Sequence, residues 1–333
     1  MISSIEITRF RGIREGKLED LTPLVVMVGP NGCGKSTVLD AIFIGASPDM
    51  GEALRRTVLR HRGVRHGARW LFWRGAEGGH ARLVLRTQSG ASRTWDIVLG
   101  GTFALGGMVG AEIRSIIDHM PFDDKIQITF TTEEGKFSSQ LVRRPLNDIS
   151  DVRIVESVAD SVSAPLHSLL TQCSRVGRRS EAKDRIATLV PGLRDLLILT
   201  EDDFPIVYFE FEDHSVPAAL AGDGIHALLR ASLELASCSG GVVLFEEPEA
   251  HQHPGAIRQT VRAILAAVRR DVQVILTTHS LELIDALVAE SSPDDLPRLS
   301  LYQLELDNGK LISVRKPGPE VAFARQEIEK DLR

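Results

Sequence analysis

The chain has 333 residues, of which 43% are hydrophobic and 25% charged, and its formal net charge is −6. That length supports one large α/β domain or two small ones with a substantial core. The acidic balance excludes a generally basic coat for nucleic acid but leaves room for a local basic patch. Cys33, Cys173 and Cys238 are widely spaced and odd in number, which excludes a disulfide framework or a thiolate metal site and points to a reducing cytoplasm. The start, MISSIEITRF, lacks the pattern of a secretory signal, and no apolar run approaches the roughly 20 residues that span a bilayer, so no membrane partner is expected.

Residues 2–8, ISSIEIT, alternate as a strand, and 24–28, LVVMV, read as a short buried strand. A glycine-rich turn and a helical stretch, VLDAIFIGA, follow. Residues 54–74, LRRTVLRHRGVRHGARWLFWR, hold seven arginines and no acid. Two hairpins are predicted next: ARLVLRT with RTWDIVLG across QSGAS, then IQITFTT with KFSSQLVRR at 126–144. Residues 164–200 read as mainly helical, broken at Pro191-Gly192, and IVYFEFE at 206–212 reads as a strand. The second half returns to α/β alternation: helix GDGIHALLRASLELAS, strand VVLFE, helix PGAIRQTVRAILAAVRR, strand VQVILTT and helix LELIDALVAE. LYQLEL and KLISVRK, around Asp307-Asn308-Gly309, form a C-terminal hairpin.

The expected fold is therefore α/β, with a mainly parallel core sheet assembled from 1–50 and 205–290. An antiparallel β and basic insertion would occupy 51–150, a helical segment 151–204, and a hairpin and helix 291–333.

Gly29-Pro30-Asn31-Gly32-Cys33-Gly34-Lys35-Ser36-Thr37 fits G-x-x-x-x-G-K-[ST] in full, between a strand and a helix. Its glycines let the backbone curl so that N–H groups face phosphate oxygens, and the helix N-terminus faces the same anion. Lys35 would reach the β- and γ-phosphates of ATP, Ser36 would ligate Mg²⁺, and Thr37 would add a phosphate contact. Cys33 sits at a variable position and reads as packing.

VVLFEEPEAHQHP, Val242 to Pro254, ends an apolar strand in adjacent carboxylates. Beside a phosphate loop these face the ion and the attacking water: Glu246 would hold the Mg²⁺ shell and Glu247 would polarise the water. Glu249, His251 and His253 read either as a metal cluster or, given the flanking prolines, as a turn that contacts a second subunit. His279, beyond ILTT, can reach the γ-phosphate as a hydrogen-bonding sensor. Thr278 and Ser280 are candidate caps for the helix after it.

GPNGCGKST, LAGDG at 220–224, VVLFEEPEAHQHP and LTTHS, in this order, resemble the ABC-type P-loop ATPases, and more narrowly the RecF/SMC/OLD branch. ITRFRGI at 7–13 is similar to the N-terminal strand and turn of that branch, and EEPEAHQHP to its E-E-P-E-x-H-L-H-P. The resemblance implies two heads closing face to face on ATP, with Gly222, Asp223 and Gly224 contacting the nucleotide of the other copy; an ordinary N-cap by Asp223 is the alternative. Ala221 stands where transporters have a serine. No Toprim nuclease is expected in the roughly 40 residues after the last ATPase helix, so any cleavage would need a separate effector or nuclease protein.

Arg55, Arg56, Arg60, Arg62, Arg65 and Arg69, with Arg74 and the aromatics Trp70, Phe72 and Trp73, could track a DNA or RNA backbone. They could equally meet an acidic protein or be a solvated helix whose aromatics enter the core. The expected activity is ATP hydrolysis by a gated head in DNA maintenance or defence against foreign DNA. The rival reading is a nucleotide-locked scaffold that holds a partner while hydrolysing slowly.

Overall fold

The computed structural model describes residues 1–59, 70–75, 79–103, 108–117, 120–122, 149–156 and 164–333. The hairpin expected at 126–144 lies outside them, as do Arg60, Arg62, Arg65 and Arg69.

Five parallel strands form one half of a long sheet: β14 (Leu299–Asp307), β3 (Leu24–Val28), β13 (Gln273–Thr277), β12 (Val242–Glu246) and β8 (Val152–Glu156), in that spatial order. Every residue of β3 and of β13 is buried, as expected of parallel strands covered on both faces. The other half is largely antiparallel: β15 (Lys310–Pro317), β2 (Ile13–Leu18), β1 (Ile2–Phe10), β4 (His80–Thr87), β5 (Ser92–Phe103), β6 (Met108–Ile117) and β7 (Met120–Phe122). The hairpins β4–β5 and β14–β15 form as the sequence predicts.

Helix α1 (Lys35–Ala46) packs between the halves, touching β1 and β4 on one side and β12, β13 and β8 on the other. The antiparallel half also holds its C-terminal end. Arg93 Nη1 donates to the Ser47 carbonyl (2.9 Å) and Trp95 Nε1 to that of Gly45 (3.2 Å), satisfying carbonyls that a helix end leaves without partners. Midway along α1, the fully buried Asp40 pairs with the guanidinium of Arg11, which the β1–β2 turn carries. Helix α2 (Met50–Leu59) follows α1. The opposite face of the parallel half is covered by α6 (Pro254–Arg269), α7 (Leu281–Glu290) and α8 (Gly318–Gln326).

A smaller lobe combines α3 (Leu166–Arg175), α4 (Arg179–Ala187) and a three-stranded antiparallel sheet of β9 (Asp195–Glu201), β10 (Phe204–Glu210) and β11 (Ser215–Pro217). Its core is shared with α5 (Asp223–Ser237), which runs from this lobe to the main sheet. Arg178 Nη1 fastens the lobe to the end of α5 through the carbonyls of Ala236 and Cys238.

These placements redraw the segment boundaries. Residues 195–200 are strand, not helix, because Asp202 and Asp203 adopt left-handed φ of 45° and 68° and make the two-residue turn of a β9–β10 hairpin. β8 lies in the core sheet although the sequence groups it with a helical segment, and β10 lies outside that sheet. β14 is both a hairpin arm and a core strand.

Candidate phosphate-loop site

β3 delivers the chain into Gly29–Gly34 at the C-terminal edge of the parallel strands. Gly29, Gly32 and Gly34 have φ of 143°, 80° and 96°, values open to glycine and strained for other residues. Close packing makes the first of them obligatory: a Cβ on Gly29 would sit 2.3 Å from the Leu304 carbonyl oxygen and 2.8 Å from Cys33 Sγ. Cys33 is buried in the core, as its reading as packing requires. Lys35 is 6% exposed and donates from Nζ to the carbonyls of Gly29 (2.8 Å) and Pro30 (3.2 Å).

The sequence places the acid strand after the phosphate loop but says nothing of their spacing. Strand β13 lies between β3 and β12, so His279, two residues beyond β13, stands between the loop and the acids. His279 Nε2 is 3.5 Å from Glu247 Oε1. Burial pushes the imidazole below the ordinary histidine range; the charge of Lys35 adds to that push and Glu247 opposes it. Lys35, His279 and Glu247 thus share one electrostatic site. Glu247 is left-handed (φ 48°), held by its N–H donating to the Thr277 carbonyl at 3.1 Å.

Glu246 ends β12, in register with Thr277 on one side and Glu156 on the other. Glu156 escaped the sequence reading. Its signal is VRIVE, a short β-branched run that ends in an acid much as VVLFE does. A cavity of about 260 Å³ beyond these acids is lined by Glu156, Glu246, Asp223, His226, Arg230 and His251.

Glu249, His251 and His253 do not converge on a metal: among the described residues no group of three His, Cys, Asp or Glu could hold one. His253 instead caps α6, its Nδ1 accepting from the Gly255 N–H. Ser280 caps α7 by accepting from the Leu283 N–H. Asp223 is the first residue of α5 and Gly222 its N-cap, which removes the reading of Asp223 as that cap. Gly224 has a packing reason, because a Cβ there would lie 2.8 Å from the His251 carbonyl oxygen. Gly222 is open, with nothing within 4 Å of such an atom.

In the basic stretch, Arg56 faces inward, over the Phe43 ring and towards the Ile154 carbonyl. Phe72 is buried and Trp73 packs against Gly309, whereas Trp70 is 52% exposed.

A parallel sheet that runs into a glycine-rich loop and a helix opening on Lys35, with acids and a histidine on neighbouring strand ends, defines a P-loop nucleoside triphosphatase. Models of AAA domains match residues 4–155 and residues 126–285, the latter described as an AAA domain, putative AbiEii toxin, of a type IV toxin–antitoxin system. The uncharacterised protein MJECL11 of Methanocaldococcus jannaschii is 33% identical over 113 residues, which are 34% of this chain and 98% of that protein. The uncharacterised MJECL10 of the same organism is 38% identical over 78 residues, covering 23% of this chain and 32% of that protein. Among solved structures, an Smc head bound to the C-terminal winged-helix domain of ScpA matches with a TM-score of 0.61 at 13% identity, over 95% of this chain and 97% of that one. An Smc head with an extended coiled coil, bound to the C-terminal domain of ScpA from Pyrococcus furiosus, matches with a TM-score of 0.53 at 12% identity over 99% of both chains. The two models together place AAA-type ATPase domains over residues 4–285, and the fold is that of the Smc heads.

Proposed function

We propose that the protein is an Mg²⁺-dependent ATP hydrolase that works as an ATP-gated head, closing on a second copy of itself. The observation that carries this reading is the convergence of Lys35 from the start of α1, His279 from beyond β13 and Glu247 from beyond β12 on one site beside the phosphate loop. In this reading the 29–37 loop cradles the triphosphate, with Lys35 leaving its loop carbonyls for the β- and γ-oxygens. Glu247 orients the attacking water and His279 senses the γ-phosphate.

Ser36 and Glu246 would hold the Mg²⁺ ion, which supplies charge neutralisation across the phosphates. The donor set fits: the Ser36 hydroxyl near the start of α1 and the Glu246 carboxylate at the end of β12 offer the one or two protein oxygens that Mg²⁺ takes beside phosphate and water. Gly222 and Asp223 open onto the surface beside the acid turn, where a partner's nucleotide would meet them.

The Smc heads of similar fold are bound to a domain of another protein, ScpA, and by that analogy this chain works with a separate effector. Service in DNA maintenance or defence against foreign DNA rests on the family and on Arg55, Arg60, Arg62, Arg65 and Arg69 of the basic stretch, without the inward-facing Arg56. The test is Mg·ATP turnover with and without DNA, on the parent and on Glu247→Gln. DNA-stimulated turnover is expected, with the variant retaining ATP, losing at least ~100-fold in rate and accumulating as a dimer in light scattering. Parent-rate hydrolysis by Glu247→Gln would remove the general base. Slow turnover indifferent to DNA, with a stable ATP-bound oligomer, would establish the scaffold instead.

A further inference from the structure

The turn after Glu247 contains a second carboxylate that the hydrolysis scheme does not use. Glu249 Oε1 accepts from the Thr278 hydroxyl at 2.5 Å and from the His279 backbone N–H at 3.3 Å. Thr278 is fully buried, its own N–H donates to the Met27 carbonyl at the end of β3, and its hydroxyl oxygen accepts from the Ser280 N–H. One carboxylate oxygen therefore fixes the peptide that carries the histidine, at the point where that peptide also touches the strand leading into the phosphate loop.

The turn is stiff on its own account. Gln252 Nε2 donates to the Pro248 carbonyl (2.8 Å), and the Gln252 side-chain oxygen accepts from Thr260 on α6 (2.8 Å). Its far side rests on α5, where the His251 carbonyl fills the space that a side chain at Gly224 would need. The turn is thus held between the start of α5 and the end of β13.

We infer that Glu249 is a positioning residue: its carboxylate sets the His279 main chain, and through the 247–253 turn it ties that histidine to the glycine-rich start of α5. Closure felt at Gly222–Gly224 then reaches the γ-phosphate side of the same subunit through one turn instead of through the whole lobe. Burial raises the Glu249 carboxyl above the ordinary range, and the bonds from Thr278 and His279 oppose that rise. The contacts need an acceptor oxygen and not a charge, so glutamine can replace it.

This inference rests on the hydrolase reading, and its test separates the two. Glu249→Ala, Glu249→Gln and Thr278→Val are compared with the parent for fluorescent-ATP affinity, for kcat, and for the His279 imidazole resonances in a histidine-labelled sample. Glu249→Ala should lose ~100-fold in kcat, the scale of a displaced catalytic group, with ATP affinity within ~3-fold and the imidazole resonances shifted. Thr278→Val should move the same way by less. Glu249→Gln should restore most of the rate, which also guards against misfolding in the alanine variant. Parent-like kcat and resonances in Glu249→Ala, or a glutamine variant as impaired as the alanine one, would overturn the assignment. A parent without turnover would sink the hydrolase reading alone, since the imidazole resonances still report whether Glu249 positions His279.

Discussion

The phosphate loop and the acid turn meet at the same site but are built in opposite ways. In the loop, Gly29, Gly32 and Gly34 take the left-handed positions, where the missing Cβ makes the shape nearly free of strain. In the acid turn the same region of φ is forced on Glu247 (48°) and His251 (62°), where a side chain costs about 1 kcal/mol or more. That cost is offset by bonds to β13 and α6 from Glu247, Gln252 and Glu249. Glycine leaves the loop's shape nearly free of local strain, whereas the acid turn keeps a strained shape through bonds to its neighbours.

Substitutions should sharpen this contrast, beginning with the loop. Gly29→Ala puts a Cβ against the Leu304 carbonyl oxygen and demands a strained φ, so a loss of at least ~3 kcal/mol is expected in denaturant unfolding, together with lost nucleotide binding. Near-normal stability there would mean the loop is far more adaptable than its packing indicates. Gly224→Ala is next. Its Cβ collides with the His251 carbonyl and should displace the acid turn, lowering kcat more than ATP affinity. A variant that weakens ATP binding alone would break the proposed link between α5 and the turn.

His251→Gly should act in the opposite direction. Relief of the left-handed residue is expected to stabilise the fold by up to about 1 kcal/mol in the same unfolding measurement, whereas a loss would show that the His251 side chain contributes more than its backbone costs. The smallest effect concerns pH. The His279 pKa is lowered in the folded state, chiefly by burial and then by Lys35, so the unfolded chain binds that proton more readily. Stability should fall as pH drops from above 6.5, the ordinary value, towards the lower folded one, and should be regained above it. Glu247→Gln removes the group that opposes this lowering and should move the His279 titration, followed by NMR, further down.

The contrast also explains what could be read from the chain. Gly29–Thr37, LVVMV and the helix after the loop are local features, legible because turn chemistry and apolar runs act over a few residues. The Asp202-Asp203 turn is local too, but left-handed aspartates signal less clearly than glycine, so the stretch of β9 reads as helix from sequence alone. VRIVE is as long as LVVMV and VVLFE, but Arg153 interrupts its apolar run.

By itself, the sequence determined the phosphate loop, the strand and helix that flank it, the acids at the end of VVLFE and the membership of an ATPase family. Their chemistry is carried by adjacent residues. Tertiary structure alone decided that β13 lies between β3 and β12, that β8 brings Glu156 beside Glu246, and that Glu249 holds the peptide of His279. Strand order across a sheet and hydrogen bonds between residues about 30 positions apart depend on which surfaces bury one another, and no short stretch of sequence contains that choice.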